Sequence, residues 1–367
     1  MLFSVEPKNQ KYDLFNREED LKRLSWNIER DKMIILYGLR RIGKTSLIKT
    51  YLNTTEHYSL FVDCRKFITG NKVEKSRFQN ELLNQLEKEL KRNKLTGLLK
   101  KIASVTIKGV EINLNSQKGK HSLSDILQEL DTVLVKRDKR LVIVFDEAQI
   151  LRLYGRGGID LLYLFAYVYD NLKNVVFILT GSEVGLLFDF LKLYDPKQPL
   201  YGRYVTEMVL KRFEENDSRN FIISGMKEIG HELSKNELDA VVSKLDGIVG
   251  YLSMFGYEYY RYNGDMDKAL KKVEQLAQAL VKKEIESLIK NSKNYAYCLN
   301  AIALNMNRFS TISRFIKANF GNIYDSTLSN ILNSLQKHSI IDVHYEKRKK
   351  LYYFPDPLVQ RYCAQLR

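Results

Sequence analysis

The chain has few cysteines and few prolines, and it contains no long apolar run. Its 3 cysteines, Cys64, Cys298 and Cys363, form no CxxC pair and are odd in number, which argues against a disulfide framework or a structural zinc site. No apolar run approaches the roughly 20 residues of a transmembrane helix. The first six residues already include a charge, unlike a signal peptide. We therefore expect a cytoplasmic protein without a membrane partner.

The remaining composition is that of a soluble globular protein. Of the 367 residues, 44% are hydrophobic and 28% are charged, and this length favours two or three domains. An excess of 59 basic over 44 acidic residues gives a net charge of +15. Such a surface attracts polyanions, nucleic acid above all, but a lysine-rich organism explains it equally well, because the basic residues are spread along the chain.

Alternating strand and helix signals predict an α/β domain with a parallel sheet in residues 1–211. An early helix follows Asn16, which we expect to be its cap. A period-two pattern at 104–114 predicts an inserted strand pair. The predicted strands are 33–37, 59–64, 141–145 and 175–180, and the predicted helices are 45–52, 76–99, 122–135 and 160–172.

Helical signals dominate after about Lys211. We predict a helical lid domain at 212–290, with breaks near Gly230 and at 247–250, and a third domain at 291–367. The third domain has three short helical stretches followed by two apolar runs that flank a basic turn. Helix, helix and hairpin in this order are typical of a winged helix.

A complete GxxxxGK[ST] motif lies between a predicted strand and a predicted helix. Its glycines permit a backbone whose N–H groups converge on phosphate oxygens, and the helix N-terminus favours the same anion. Lys44 is expected over the β- and γ-phosphates, and the Thr45 hydroxyl is a predicted Mg²⁺ ligand. The predicted nucleotide-binding residues are Gly38, Leu39, Arg40, Arg41, Ile42, Gly43, Lys44, Thr45 and Ser46.

A second motif, LVIVFDE, ends a buried strand in two carboxylates. Asp146 is expected to hold Mg²⁺, and Glu147 to polarise the attacking water; an aspartate at a strand end is also a common helix cap. A glutamate here favours a water-activating ATPase over a small-molecule kinase. The sequence shows no convincing N-K-x-D motif for guanine, so we expect ATP rather than GTP.

Two further strand ends carry candidate residues. Thr180 or Ser182 is positioned to sense the γ-phosphate, although a serine–glycine turn leaving a strand is an equal explanation. Arg203, after the turn at Gly202, is a candidate to neutralise transition-state charge in its own subunit or in a neighbour's. The alternative for Arg203 is an ordinary surface arginine.

Six ordered blocks together resemble the archaeal ATPase family, within the AAA-like signal-transducing (STAND) class of P-loop ATPases. The resemblance covers nearly the full length. The blocks are Phe15-Asn16-Arg17-Glu18-Glu19, Tyr37–Thr45, Phe61-Val62-Asp63-Cys64-Arg65, Asp146-Glu147-Ala148-Gln149, Thr180-Gly181-Ser182 and Pro199-Leu200-Tyr201-Gly202-Arg203.

The resemblance implies an additional strand between the P-loop strand and the Asp-Glu strand, a helical lid and a C-terminal winged helix. It also implies that Arg203 responds to nucleotide and that Arg17 lines the adenine side. The lid sequence departs from the family, because Val249 replaces the proline of Gly-Ile-Pro-Gly-Tyr-Leu, which puts lid-to-nucleotide coupling in question. The Cys64-Arg65 pair has no obvious catalytic role.

The winged helix has two interpretations. Its polar second helix and the basic turn suit double-stranded DNA, with Lys347, Arg348, Lys349 and Lys350 as candidate phosphate contacts. Winged helices also serve as protein-interaction or autoinhibitory modules.

The sequence therefore predicts an ATP-hydrolysing switch that uses ATP and Mg²⁺ and couples its nucleotide state to the winged helix. One alternative is a nucleotide-regulated DNA-binding protein with little or no hydrolysis, and another is a chaperone-like interaction scaffold. The expected partners are ATP and ADP, double-stranded DNA, and a protein partner or a second copy of the chain.

Overall fold

The computed structural model describes residues 1–95, 123–290 and 292–366. Its main sheet has five parallel strands, β1 Met33–Tyr37, β2 Tyr58–Asp63, β5 Leu141–Asp146, β6 Val175–Gly181 and β7 Thr206–Val209. They lie in the order β2-β5-β6-β1-β7. Strand β6 therefore separates the P-loop strand β1 from the Asp-Glu strand β5, which confirms the additional strand. A small hairpin of β3 Ile68–Thr69 and β4 Lys72–Val73 follows β2.

Helices cover both faces of the sheet, as expected for parallel strands whose residues are buried on both sides. They carry the apolar residues that complete two hydrophobic clusters. These helices are α1 Glu18–Arg30, α2 Lys44–Thr54, α3 Lys75–Arg92, α4 Leu123–Arg137, α5 Ile159–Asn171 and α6 Val184–Leu191.

Two predictions about local structure are wrong. Asn16 does not cap the first helix: Arg17 occupies the N-cap position and Asn16 has a left-handed backbone with φ 48°. The third helix ends at Arg92 rather than near Leu99, because the chain turns at Lys94, where φ is 56°, and Leu95 N–H bonds back to the Leu90 carbonyl. The strand pair predicted at 104–114 lies outside the described residues. Strand β7 and helix α6 were not predicted.

Four helices form the lid: α7 Glu215–Glu228, α8 Lys235–Leu245, α9 Val249–Arg261 and α10 Met266–Ile289. The first two breaks lie near Gly230 and Gly247, as predicted, whereas the third, at 262–265, was not predicted. The N-terminal segment belongs to the lid core as well, because Phe3 fills a slot between α7 and α9. A Cβ added at Gly225 or Gly256 would lie 2.3 or 2.1 Å from the Phe3 ring, so this slot depends on both glycines.

The C-terminal domain is a winged helix, with α11 Asn294–Ala303, α12 Phe309–Asn319, α13 Asp325–Lys337, the hairpin β8 Asp342–Glu346 and β9 Lys349–Tyr353, and a final helix α14 Pro357–Cys363. Helix α10 joins it to the lid. Ala269, Val273 and Ala277 pack in the lid core, whereas Val281 and Ile285 pack in the winged-helix core. Domain limits at 211 and 290 stay predictions, and α10 contributes to two cores.

In the part of the chain that the structure describes, no helix combines the length and apolar character needed to cross a bilayer.

Candidate nucleotide site

The phosphate loop connects β1 to α2 at the carboxyl edge of the parallel sheet. Gly38 and Gly43 adopt φ values of 150° and 95°, and Gly43 caps α2. A Cβ on Gly38 would lie 2.4 Å from the Leu210 carbonyl oxygen, so only glycine fits there. The predicted glycine roles thus have a local structural reason, and the loop places the α2 N-terminus at the site.

Lys44 is held inside the loop. Its side chain is buried, and its Nζ donates hydrogen bonds to the carbonyls of Gly38 at 3.0 Å and Leu39 at 2.7 Å. Burial lowers the pKa of Lys44 to about 8, although Glu147 and Asp146 act in the opposite direction. The ammonium is thus incompletely compensated by neutral carbonyls, an arrangement that favours an incoming phosphate.

The predicted Mg²⁺ ligands lie side by side. Thr45 Oγ1 is 3.1 Å from Asp146 Oδ2, and Thr180 donates its hydroxyl to Asp146 Oδ1. Asp146 is 1% exposed, and burial raises its pKa. Its hydrogen-bond partners are neutral hydroxyls and its nearest ion-pair distance is 4.0 Å, to Arg65. A buried carboxylate beside hydroxyl oxygens fits a hard cation such as Mg²⁺, which in these sites takes its other ligands from water and phosphate.

Glu147 follows directly in a left-handed conformation, with φ 55°, and its N–H donates to Thr180 Oγ1 at 3.1 Å. Its Oε2 accepts hydrogen bonds from Ser182 Oγ at 2.7 Å, Ser182 N at 3.2 Å and Gln149 Nε2 at 2.7 Å. Thr180 therefore contacts Asp146 and the Glu147 backbone, whereas Ser182 contacts the Glu147 carboxylate. The two candidate sensors thus lie directly against the candidate metal and water residues.

The loop opens into a cavity of about 700 Å³ between the sheet domain and the lid. Arg17 lines it: the Arg17 Nη2 donates to the Lys211 carbonyl at 2.7 Å, and the guanidinium lies over the Phe213 ring at 4.8 Å. The cavity is also lined by Ser4, Val5, Glu6, Pro7, Phe15, Phe213, Phe221 and Met254. Aromatic and backbone groups of this kind suit a nucleobase.

The N-terminal segment was not predicted to take part in the site. Lys8 N–H donates to Ser46 Oγ on α2 at 3.1 Å, while Phe3 is anchored in the lid. Residues 4–7 therefore run from the lid to the phosphate loop along the cavity. No local motif marks them; only the apolar Leu2-Phe3 pair signals that the segment is packed rather than free.

Arg40 and Arg41 line the cavity, and their guanidinium groups are bound to two acidic residues outside the loop. Arg40 contacts Glu183 and Glu284, and Arg41 contacts the other Glu284 oxygen, each at 3.0 Å. Arg41 also donates to Tyr251 Oη at 3.2 Å. The backbone N–H of Gly250 bonds to the Arg41 carbonyl at 2.8 Å, so the lid touches the phosphate loop although Val249 replaces proline.

Arg203 lies at the amino-terminal end of the parallel strands, whereas the phosphate loop lies at their carboxyl end. It precedes β7, whose first residue pairs with Ile34 near the start of β1, and its guanidinium is bound to Asp170 at the end of α5 and to the Pro199 carbonyl. Arg203 therefore does not approach the phosphate loop of its own chain. Its action on a neighbouring copy stays a prediction.

The four basic wing residues lie at and beside the β8–β9 turn. Lys347 and Arg348 form the exposed tip, with φ values of 45° and 65°. Lys349 begins β9 and is also exposed, whereas Lys350 bonds Gln336 at 3.3 Å and covers the Tyr352 ring. Three of the four are therefore available to a polyanion, and Lys350 has a structural contact.

Comparison with known sequences gives two matching family models. The model described as an ATPase domain predominantly from Archaea matches residues 14–255, and that of the MCM protein C-terminal winged helix-turn-helix domain matches 289–354. The uncharacterized protein MJECL04 of Methanocaldococcus jannaschii is 23% identical over 95% of this chain, and the match spans 67% of that protein.

Two solved structures are similar to this chain over nearly its full length. The Walker-type ATPase PABY2304 of Pyrococcus abyssi is 36% identical, with a TM-score of 0.83 and 99% of both chains covered. The ORC2 protein of Aeropyrum pernix, solved in ADPNP-ADP complexes, has the same fold at 14% identity, with a TM-score of 0.59 over 100% of this chain and 96% of that one. Because the ATPase model matches more than half of this chain, the chain belongs to the family of ATPase domains found predominantly in Archaea.

Proposed function

We propose that this protein hydrolyses ATP with Mg²⁺ and that its nucleotide state controls the position of the winged helix, as in an AAA-like or STAND-type switch. The chemistry is supported by the juxtaposition of Lys44, Thr45, Asp146 and Glu147 at one sheet edge. With ATP in the cavity, the phosphates lie at the α2 N-terminus and Lys44 bonds their oxygens. Mg²⁺, held by Thr45 and Asp146, would neutralise phosphate charge.

Glu147 would polarise the water that attacks the γ-phosphate and accept its proton. The Ser182 and Gln149 donors orient the carboxylate for this role.

One observation carries the proposed coupling: a chain of contacts from the phosphate loop to the winged helix. Glu183 Oε1 lies 3.0 Å from Arg40 Nη2 and 3.0 Å from His338 Nδ1 at the end of α13. Ser339 Oγ accepts a hydrogen bond from Val184 N at 3.0 Å, and Lys337 pairs with Asp189 at 2.6 Å. The winged helix thus rests on the segment that leaves the sensor strand β6.

A second branch runs through the lid. Both arginines of the loop bind Glu284 on α10, the helix shared by the lid and winged-helix cores. Tyr251, which contacts Arg41, also donates to Asp356 just before α14. When Lys44 leaves the Gly38 and Leu39 carbonyls to bind phosphate, the loop carrying Arg40 and Arg41 must adjust. These partly buried charge pairs transmit that change.

Removing the shared carboxylate should uncouple the domains. In wild-type protein, limited trypsin digestion of the nucleotide-free, ADP-bound and ATP-analogue-bound states is expected to give different cleavage rates between the lid and the winged helix. In Glu284→Gln, which loses the charge but keeps its shape, we expect the difference between states to fall at least severalfold, because two arginines lose their common anion.

Glu286→Gln is the matched control on the same helix, since Glu286 is exposed and contacts Lys282. Equal cleavage of all three wild-type states would contradict the switch. A Glu284→Gln protein with the wild-type difference would show that coupling takes another route.

A second candidate function, duplex DNA binding, is favoured by one surface. The exposed face of α13 carries Ser326, Ser329, Asn330 and Asn333, and Lys350 of the wing hairpin contacts Gln336 on the same helix. A polar helix next to a basic wing suits the major groove and the flanking phosphates. In this conformation Asn330 and Asn333 line a crevice facing the sheet domain, so major-groove access requires the winged helix to move.

Alanine at Lys347, Arg348 and Lys349 should reduce the salt dependence of duplex binding. Each lost phosphate contact lowers the slope of log K against log salt by about 0.9, so three contacts lower it by about 2.7 in fluorescence anisotropy titrations.

The control is a triple alanine variant at the α10 residues Lys271, Lys282 and Lys283, which removes the same charge elsewhere. An unchanged slope in the wing variant, or an equal drop in both variants, would remove the wing from the interface.

A further inference from the structure

Strand β2 ends beside the candidate metal site and is followed by a fixed arginine. Its last residue, Asp63, pairs with Asp146 in the register of β2 and β5. Arg65, in the short helix Cys64–Phe67, grips Asp63 with two bonds: Nε to Oδ1 at 2.9 Å and Nη2 to Oδ2 at 2.8 Å. The Arg65 backbone N–H bonds the same carboxylate at 3.0 Å. A bidentate fork of this kind fixes the guanidinium plane.

This guanidinium faces the nucleotide cavity. Arg65 lines the cavity together with Lys44, Glu147 and Gln149, and its Nη2 lies 4.0 Å from Asp146 Oδ2. Its side chain is 58% exposed although both of its ion-pair partners are largely buried. The exposed part of the Arg65 guanidinium is therefore available to a ligand bound in the cavity near Asp146 and Glu147.

The other cavity arginines have different tasks. Arg40 and Arg41 are committed to Glu183 and Glu284, and Arg17 bonds the Lys211 carbonyl. Arg152 donates to the Gln149 carbonyl at 3.3 Å. Arg203 does not line the cavity, because it precedes β7 at the amino-terminal end of the strands. Arg65 alone among these combines a fixed plane with proximity to Asp146.

We propose that Arg65 is a catalytic residue that contacts the γ-phosphate from within the same chain, with Asp63 as its positioning residue. The inference rests on the proposed ATP hydrolysis. During the step, the water oxygen forms a bond to the γ-phosphorus while the bond from that phosphorus to the β–γ bridging oxygen breaks. The electron pair leaves with ADP, and the water proton passes to Glu147.

Negative charge in this transition state is spread over the equatorial oxygens of the transferred group. Arg65 donates to one of these oxygens, and its position is set by Asp63 before the substrate arrives. Stabilisation by a preorganised donor appears mainly in kcat, since the ground-state triphosphate is already held by the loop, Lys44 and Mg²⁺.

Arg65→Ala is expected to lower kcat for phosphate release by about 100-fold, the lower end of the range for one lost donor, and to change the Kd of a non-hydrolysable ATP analogue by less than about threefold. Arg65→Lys keeps the charge but loses the two-nitrogen contact with Asp63, so its kcat should be only slightly higher than that of Arg65→Ala. Added guanidinium ion should partly restore turnover of Arg65→Ala, a rescue that a structural role would not produce. Asp63→Asn should lower kcat in the same direction by a smaller factor.

Arg77→Ala is the matched control, because Arg77 is also exposed and ion-paired, to Glu74, but lies outside the cavity. Wild-type turnover in Arg65→Ala, with loss of turnover in Glu147→Gln, would overturn the role of Arg65 and leave ATP hydrolysis in place. A large loss of analogue binding or of folded circular dichroism in both Arg65 variants would show a structural role instead. Absence of phosphate release from the wild-type protein would overturn the hydrolysis and this inference together.

Discussion

Lys44→Ala is expected to weaken ATP binding by about 10- to 100-fold, the loss of one charge-assisted contact of about 1.5–3 kcal/mol, and to lower kcat by a further factor of about 100 to 1,000. The reason is geometric: Lys44 is buried in the loop, and its Nζ donates to the carbonyls of Gly38 and Leu39, the groups from which a phosphate would take it over. Isothermal titration with ATP and Mg²⁺ measures the first effect, and steady-state phosphate release the second.

The same substitution should leave the free protein at least as stable as wild type. Burial lowers the pKa of Lys44 to about 8, which means that the fold disfavours its charged form, so alanine removes an unfavourable burial. An unchanged or raised thermal midpoint would therefore separate lost binding from lost folding. Lys49→Ala on the same helix, with its ammonium over Phe61, is the control. Wild-type ATP affinity in Lys44→Ala would contradict the phosphate site itself.

The sheet could be predicted from the sequence because its central strands are buried on both faces. Leu141–Asp146 and Val175–Gly181 are fully buried runs, and such runs stand out between amphipathic helices. Strand β7 is an edge strand with two exposed residues, so its four residues carry no comparable signal. The end of α3 was missed for a similar reason: its apolar spacing continues past the turn that the backbone makes at Lys94.

The phosphate site could be predicted because its chemistry is local in sequence. Gly38–Thr45 and Asp146-Glu147 are contiguous, and each residue type is required by the anion, the metal or the water. The residues around these motifs were missed because they meet only in space: Glu284 and Arg40 are 244 positions apart, and His338 and Glu183 are 155 apart. Arg65 and Arg203 could not be told apart in the same way. Arg65 follows the end of a strand and Arg203 precedes the start of one, so they lie at opposite ends of the parallel strands, which the local sequence does not reveal.

Glu147→Gln is expected to lower kcat by about 100- to 10,000-fold, the range for losing a general base. Glutamine has the shape of glutamate, and its amide oxygen accepts the same hydrogen bonds from Ser182 and Gln149 that Glu147 Oε2 accepts now. The amide cannot take a proton from water. Analogue affinity should therefore stay within about threefold of wild type, because only the reactive group has changed.

Phosphate release measured alongside analogue titration separates this outcome from that of Lys44→Ala, in which binding is lost as well. Glu56→Gln supplies the control, since Glu56 is an exposed carboxylate paired with Lys139 away from the cavity. A Glu147→Gln protein that binds ATP yet still turns over like wild type would show that another group activates the water. In that case another carboxylate beside the phosphate loop, such as Asp146 or Asp63, would have to activate the water.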